Sequence, residues 1–545
     1  MVERKKNSKF QLQLDTALSH YPHLRTYVDE FSRNNPQPKY LTELGFELKR
    51  EKSPNVIYPV GEPLFIHVLK DEKGILHYIV IEPTMDEETS RLNDKILDRM
   101  IEIAHELPVP ERLEDVAPIL VQLLNKIVVI GEGKTSKVSF SNKIVLSQVQ
   151  YDFIKYYLLR NRVGFSKLEP IFNDPYLEDI HCVGVGELKV VHKIFEMLRT
   201  NVEFSTDLEL NKYILETSER VERPVSDARP VVDAVMPDGS RVNFIYGREI
   251  SREGSSFTIR KFADVPVSII QVLNFQTMTS EVAAYIWLAL EHGMNAFVCG
   301  ETASGKTTTL NAASVFIKPD AKVYTVENTA EVTMPQDTWQ HLVTREAGKD
   351  TDVDMFTLLI AALRSRPNYI IVGEIRGVEG NVAFQAMQTG HPVLSTFHAG
   401  SVHSMIQRLT GHPIDVPIAF IDNLNIVLIQ QAVSVNGRFV RRITSVTEIE
   451  RYYDAEQKVI TRRVFTWDPI SDEHRFSGYY NSFLLEKKIA PKMGLADPKE
   501  VYDELARRAK ILEKMRELKI TNYFKVYDVI RSFYLNGIEG LPFEI

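Results

Sequence analysis

The stretch Gly300-Glu301-Thr302-Ala303-Ser304-Gly305-Lys306-Thr307 restricts the fold of this chain more than any other. Its spacing is that of a phosphate-binding loop joining a buried strand to a helix. The glycines let the backbone curl so that several N–H groups converge on phosphate oxygens. The positive end of the following helix points at the same anions. Lys306 is placed to reach the outer phosphates, and the Thr307 hydroxyl to ligate magnesium. The surroundings agree, with the apolar strand Ala296-Phe297-Val298 before the loop and a helical pattern over Lys306–Phe316 after it. A Mg2+–ATP site is therefore expected, with Gly300, Glu301, Thr302, Ala303, Ser304, Gly305, Lys306, Thr307 and Thr308 around the nucleotide.

The pattern around this loop is helix, strand, helix, strand. Helices are predicted at Glu281–Glu291, Phe356–Arg364 and Val382–Gln388, and strands at Asn295–Cys299, Lys322–Val326, Tyr369–Val372 and Val393–Thr396. Such alternation implies a parallel sheet covered on both faces. Upstream the texture differs. Strands are expected at Leu64–Leu69 and Leu76–Ile81, and helices at Leu92–Leu107 and Ile144–Leu159. Further strands are expected at Leu177–Val183, Leu188–His192 and Phe257–Lys261, and a helix at Leu208–Glu222. Val231–Met236 and Arg241–Tyr246 flank a Pro-Asp-Gly-Ser turn and read as a hairpin. Ala263–Pro266 reads as a linker, since Pro266 disfavours helix before it. After Ile449 the chain turns polar and aromatic, with helices predicted at Pro498–Leu518 and Tyr523–Tyr534, whose apolar stripes suit core packing.

Composition narrows the function. At 545 residues several domains are expected. A net charge of -8 without a basic stripe argues against nucleic acid as a partner. Two cysteines, Cys182 and Cys299, cannot build a disulfide framework or a zinc site. The N-terminus has no apolar run of a secretory signal, and no stretch nears the roughly 18 apolar residues of a membrane span. A cytoplasmic location, peripheral at the inner face of the cell membrane, is expected.

Three acids and two histidines complete the candidate site. Tyr369–Glu374 is a buried strand ending in an acid, with Gly373 where many phosphate-loop enzymes carry Asp. Magnesium is then expected to be held through Thr307, phosphates and waters, with Glu374 acting through a water. Glu327 and Glu331, just beyond another core strand, are well placed to orient the attacking water. His391 and His398 flank the next strand, whose end beside the site lets a histidine sense the γ-phosphate.

Together these segments are recognisable. GETASGKT, VENTAE, LRSRPNYIIVGEIRG and TGHPVLSTFHA resemble the Walker A, Asp box, Walker B and His box of the type II/IV secretion superfamily ATPases. LEPIFNDPYLEDIHCVGVGELKVVH, VVDAVMPDGSRVN and SSFTIRKF resemble the domain that precedes their ATPase core. The likeness covers roughly residues 165 to 450. Within the superfamily, LRSRPNYIIVGEIRG together with IRKF, and IDNLNIVLIQQAV with GRFVRRITSVTEI, look most like the motor ATPase of the archaellum, the archaeal flagellum. Archaeal type IV pilus and type II-like secretion ATPases are the near alternatives, and a hexameric nucleic-acid translocase a more distant one.

The resemblance implies an α/β fold, with a RecA-like core at 276–450 and an α+β N-terminal domain at 161–262. A linker at 263–275, a partly helical N-terminal extension at 1–160 and a C-terminal helical extension at 451–545 complete the expected organisation. It implies homohexamers working with a polytopic membrane platform protein and accessory cytoplasmic motor components. It also implies nucleotide bound between two domains with arginines reaching it, at Arg241 and Arg260 and more weakly at Arg229. The catalytic glutamate of the family aligns with Glu331, and Glu327 is the first acid of the Asp box. Asn328 stands where Asp is common, which leaves the division of labour between the two acids open.

Overall fold

The computed structural model describes residues 14–45, 48–49, 51–106, 112–131, 143–262, 265–345, 351–435 and 438–545. Residues 1–13 at the expected signal-free N-terminus, Leu107 at the end of a predicted helix, 263–264 of the expected linker and Gly437 lie outside them. The chain divides into two compact units between Phe262 and Ala263.

The first unit contributes strands β1 (Lys39–Tyr40), β2 (Asn55–Pro59), β3 (Phe65–Lys70), β4 (Leu76–Ile81), β5 (Val128–Ile130) and β6 (Ile144–Leu146). It continues with β7 (Leu177–Val183), β8 (Gly186–His192), β9 (Glu196–Phe204), β10 (Val231–Val235), β11 (Arg241–Ile245) and β12 (Ser256–Arg260). Ten of these form one sheet in the order β1-β2-β3-β4-β9-β8-β7-β12-β11-β10. The parallel pairing of β4 with β9, Tyr78 opposite Thr200, carries the sheet across position 160. That position itself lies inside the helix Gln148–Arg162. The helix starts four residues later than its apolar spacing suggests because Ser147 caps it. The Ser147 hydroxyl accepts from Gln150 N and the Gln150 side chain returns to Ser147 N, while Ile144–Leu146 extends to pair with β5.

The seam between the two halves of this sheet is polar at its centre. Asp174 is fully buried. Its Oδ2 accepts from Tyr58 at 2.7 Å and Tyr78 at 2.8 Å, and its Oδ1 from Tyr176 N at 2.8 Å. Such a network costs little only because every member is satisfied.

The second unit holds a nine-stranded sheet. Its strands are β13 (Ala296–Cys299), β14 (Val323–Glu327), β15 (Trp339–Val343), β16 (Tyr369–Ile375), β17 (Val393–Phe397), β18 (Ile426–Val435), β19 (Arg438–Tyr453), β20 (Lys458–Asp468) and β21 (Glu473–Phe476). Their order is β15-β14-β16-β17-β13-β18-β19-β20-β21. The first six are parallel, and β18 to β21 form an antiparallel meander. Alternate residues of β13 feed opposite cores. Ala296 and Val298 join the helices Ser280–Glu291 and Lys306–Ser314, whereas Phe297 and Cys299 join Met355–Arg364 and Glu379–Gln388.

The tail differs from a helical extension beginning at 451. That position falls inside β19, and β20 and β21 continue the sheet before any long helix appears. The helices Val501–Glu517 and Tyr523–Asn536 then pack into the same core as the phosphate-loop helix. Trp287 stacks on Phe316 with ring centres 5.1 Å apart and donates to Tyr534 Oη at 2.8 Å. Removing such a buried indole by Trp287→Ala costs about 3–5 kcal/mol.

Candidate active site

The phosphate loop sits at the carboxyl end of β13, where ligands bind in open parallel sheets. Gly305 has φ +90° and caps the helix Lys306–Ser314. That backbone conformation favours glycine, and a Cβ there would also displace the Gln430 side chain, whose Nε2 it would meet at 2.9 Å. Gly300 is closer still to its neighbour: a Cβ would lie 2.2 Å from Gln430 O. Ser304 Oγ donates to Glu301 O at 2.8 Å, and Lys306 Nζ donates to the same carbonyl at 2.9 Å. Lys306 is buried, which pushes its pKa down, while the charge of Glu374 pulls the other way. Thr307 is half-buried at the helix start, and Glu301, Thr302, Ala303 and Thr308 are exposed.

Glu374 lies near the end of β16, after a register shift in the β16–β17 pairing between Val372 and Glu374. Its Oε2 pairs with Arg376 Nη2 at 2.7 Å. His398 Nε2 lies 3.0 Å from Oε1, close enough for charge attraction but not aligned for a hydrogen bond. Burial raises the Glu374 pKa, but Arg376, His398 and Lys306 outweigh it and hold the carboxyl below its ordinary value. Burial also lowers the His398 pKa, against the pull of Glu374.

Glu327 ends β14 and is 2% exposed. Its Oε1 accepts from Glu331 N and Val332 N, both at 3.0 Å, and its Oε2 lies 2.8 Å from His341 Nε2. Gly373 passes over it so closely that a Cβ would stand 3.0 Å from Glu327 Cγ. A side chain at position 373 would therefore press on Glu327, which would have to give by a few tenths of an ångström. Glu331, half-buried, is near enough to Lys306 and Arg376 for its charge to act on both.

The two histidines separate. β13 and β17 run parallel, with Cys299 opposite Phe397. His398 follows β17 and stands at the phosphate-loop end, whereas His391 precedes the strand and stands at the opposite end, bonded to Thr389 Oγ1 at 3.1 Å. In the first unit Arg241 and Arg260 are register partners on β11 and β12, so they share one sheet face. Arg260 Nε lies 3.5 Å from Asp179 Oδ1, and Arg229 is exposed in a turn closed by Ser226 Oγ.

Sequence reading missed several residues that build the site. Gln430 Nε2 donates to Ser304 O at 2.8 Å and Arg441 Nε to Ala303 O at 3.1 Å, so β18 and β19 brace the phosphate loop. Asn311 Nδ2 donates to Glu331 O at 2.8 Å while its Oδ1 accepts from Thr333 N. Each is a polar residue on an otherwise packed element, and that is the only signal the sequence carried.

Magnesium fits this donor set. Among the described residues no group of three or more His, Cys, Asp or Glu side chains is arranged to hold a metal by itself. Thr307 Oγ1 and the buried, non-hydrogen-bonded Glu374 Oε1 are hard oxygen donors suited to an ion that keeps waters and binds chiefly through phosphates.

The profile of the Type II/IV secretion system protein family matches residues 171–471. The chain belongs to this family. It is an ATPase of RecA-like fold. A protein of Methanocaldococcus jannaschii is 50% identical over 98% of this chain and 99% of its own length. The conjugal transfer protein TrbB of Rhizobium radiobacter is 33% identical over 34% of this secretion-family chain and 56% of its own. Among solved structures, the ATPase DotB of Legionella pneumophila is 18% identical with a TM-score of 0.38, covering 67% of this chain and 94% of that one. No helix among the described residues is long and apolar enough to cross a membrane.

Proposed function

We propose that this secretion-family ATPase is a hexameric motor that hydrolyses Mg-ATP to drive an archaeal surface filament, with Glu331 as the water-activating acid. The observation that carries the assignment is the commitment of Glu327: both its oxygens are engaged and it is buried. It holds the loop, and Glu331, half-buried with its charge acting on Lys306 and Arg376, is assigned to orient water. Lys306 exchanges the Glu301 carbonyl for the outer phosphates. Magnesium, when bound, would neutralise phosphate charge, and Thr307 together with a water on Glu374 would hold it. His398 keeps Glu374 oriented toward that water. Arg241 and Arg260 serve transition-state charge in the assembled ring, where such arginines contribute about 10³–10⁵ in rate.

The motor works at the inner face of the cell membrane, passing its stroke to a polytopic platform protein and accessory cytoplasmic components. The archaellum is the favoured machine. The likeness of residues 421–449 to its motor ATPase supports it, and a pilus or secretion machine is the second reading. ATP turnover measured together with oligomer mass tests the core of this. Glu331→Gln and Arg241→Ala are expected to bind ATP and lose turnover by at least about 10²-fold. Normal turnover in both variants would sink the catalytic assignments, and strong stimulation of the wild type by DNA would favour a translocase instead.

A further inference from the structure

The segment 328–338 that carries Glu331 contains no helix or strand, so its shape depends on side-chain hydrogen bonds that tie it to its surroundings. Three grips come from the neighbourhood of the sequence motifs. Glu327 holds the amides of Glu331 and Val332, Asn311 holds Glu331 O and Thr333 N, and Gln336 Nε2 reaches Ser314 O and Ile317 O. The fourth comes from the far end of the chain. Tyr523 opens the helix Tyr523–Asn536, where Asn522 caps it by accepting from Phe524 N and Lys525 N. The Tyr523 ring is wholly buried. Its hydroxyl donates to Thr333 O at 3.1 Å and lies 2.8 Å from Ser314 Oγ, in the last turn of the phosphate-loop helix.

We propose that Tyr523 is a positioning residue for ATP hydrolysis, tying the loop that presents Glu331 to the carboxyl end of the phosphate-loop helix. Of the C-terminal helix, the first residue alone is thereby given a part in positioning the hydrolytic loop. The argument is one of geometry and of chemistry. Packing alone needs only the ring, so a phenylalanine would fill the same space. The hydroxyl bridges two segments whose spacing sets the distance from Glu331 to the phosphates. Thr333 is two residues from Glu331, and Ser314 ends the helix that begins with Lys306. Loss of the bridge leaves Thr333 O short of a donor and frees the loop to shift. A displacement of about 1 Å in a reacting group can cost up to roughly 10²-fold in rate.

The same helix supplies its own control. Tyr534 is also buried and hydrogen-bonded, accepting from Trp287 Nε1 and donating to Phe316 O, both at 2.8 Å. Neither partner belongs to the Glu331 loop. Tyr534→Phe therefore loses two bonds and leaves an indole N–H unpaired, yet spares the loop.

The inference rests on Glu331 as the water-activating acid, so Glu331→Gln is measured beside the two tyrosine variants. The full chain is assayed for kcat, KM for ATP and melting temperature. In Tyr523→Phe, kcat is expected to fall about tenfold with KM within about twofold of wild type. In Tyr534→Phe the melting temperature is expected to fall at least as far, with kcat unchanged. Combining Tyr523→Phe with Glu331→Gln is expected to add no further loss, as for two residues on one path. Wild-type kcat in Tyr523→Phe, or equal kcat losses in the two tyrosine variants, overturns the positioning role. If Glu331→Gln turns over normally, the reading of Glu331 fails first. If it is inactive while Tyr523→Phe is normal, only the tail's role fails.

Discussion

Asp174 in the first unit and Glu374 in the second are both removed from bulk water, and their surroundings use them in opposite ways. Asp174 receives two tyrosine hydroxyls and an amide, and burial still raises its pKa. Glu374 is only half-buried and keeps Oε1 without a hydrogen bond, and neighbouring cations hold its pKa down. A carboxylate whose acceptors are filled by tyrosines cannot receive a ligand and works as a joint. One held ionised by Arg376, His398 and Lys306, with an oxygen to spare, can order water around a metal or phosphate. Perturbed titration alone therefore does not mark the site; an ionised carboxylate with an oxygen to spare beside the phosphate-loop lysine does.

The contrast is sharpest when each acid is removed. Glu374→Ala is expected to lower turnover by about 10³-fold, equivalent to roughly 4 kcal/mol in the barrier. Its effect on stability should stay below about 1 kcal/mol, because the pair with Arg376 is partly exposed. Turnover assays and denaturant titration of one preparation check both. A large stability loss with little change in rate would make Glu374 a second joint.

Asp174→Ala is expected to invert that pattern. It leaves two buried tyrosine hydroxyls and the Tyr176 amide without their acceptor, which costs about 3 kcal/mol. Turnover at a temperature where the variant stays folded should match wild type. Loss of rate without loss of stability would place Asp174 in the reaction rather than in the sheet.

The same contrast explains which parts of the molecule could be read beforehand. The phosphate loop and the strands β13, β14, β16 and β17 were legible because parallel strands covered on both faces are continuous apolar runs and their turns carry special residues. Strand β15, Trp339–Val343, was not, because it is a half-exposed edge strand mixing Gln340 and His341 among apolar residues. The meander after β18 was hidden in the same way, with Arg462 and Arg463 in a strand that faces partly to solvent. In the site, Lys306 and Thr307 follow from spacing. The separation of Glu327 from Glu331 needed the hydrogen bonds on the Glu327 carboxylate, and that of His398 from His391 needed the strand directions. The grips of Asn311, Gln430 and Tyr523 join residues up to 209 positions apart, and no local pattern encodes them.

A smaller effect distinguishes the two acids by the sign of their pH dependence. Asp174 has a folded pKa above its unfolded one, so the folded state binds its proton more tightly. Its contribution to stability is therefore greatest at low pH and declines as pH rises from about 4, the unfolded carboxylate value, toward the folded pKa. Glu374 has a folded pKa below its unfolded one. Its contribution is present above the unfolded value and is lost as pH falls through the folded pKa. Unfolding free energies of wild type, Asp174→Asn and Glu374→Gln, measured from pH 3 to pH 6, separate the two. The advantage of wild type over Asp174→Asn should shrink as pH rises, by up to about 1.4 kcal/mol per unit within the window. Its advantage over Glu374→Gln should grow as pH rises, by less because solvent screens a half-exposed group. Slopes of the same sign would mean that Asp174 is held as firmly ionised as Glu374, and that ionisation is not what separates the joint from the site.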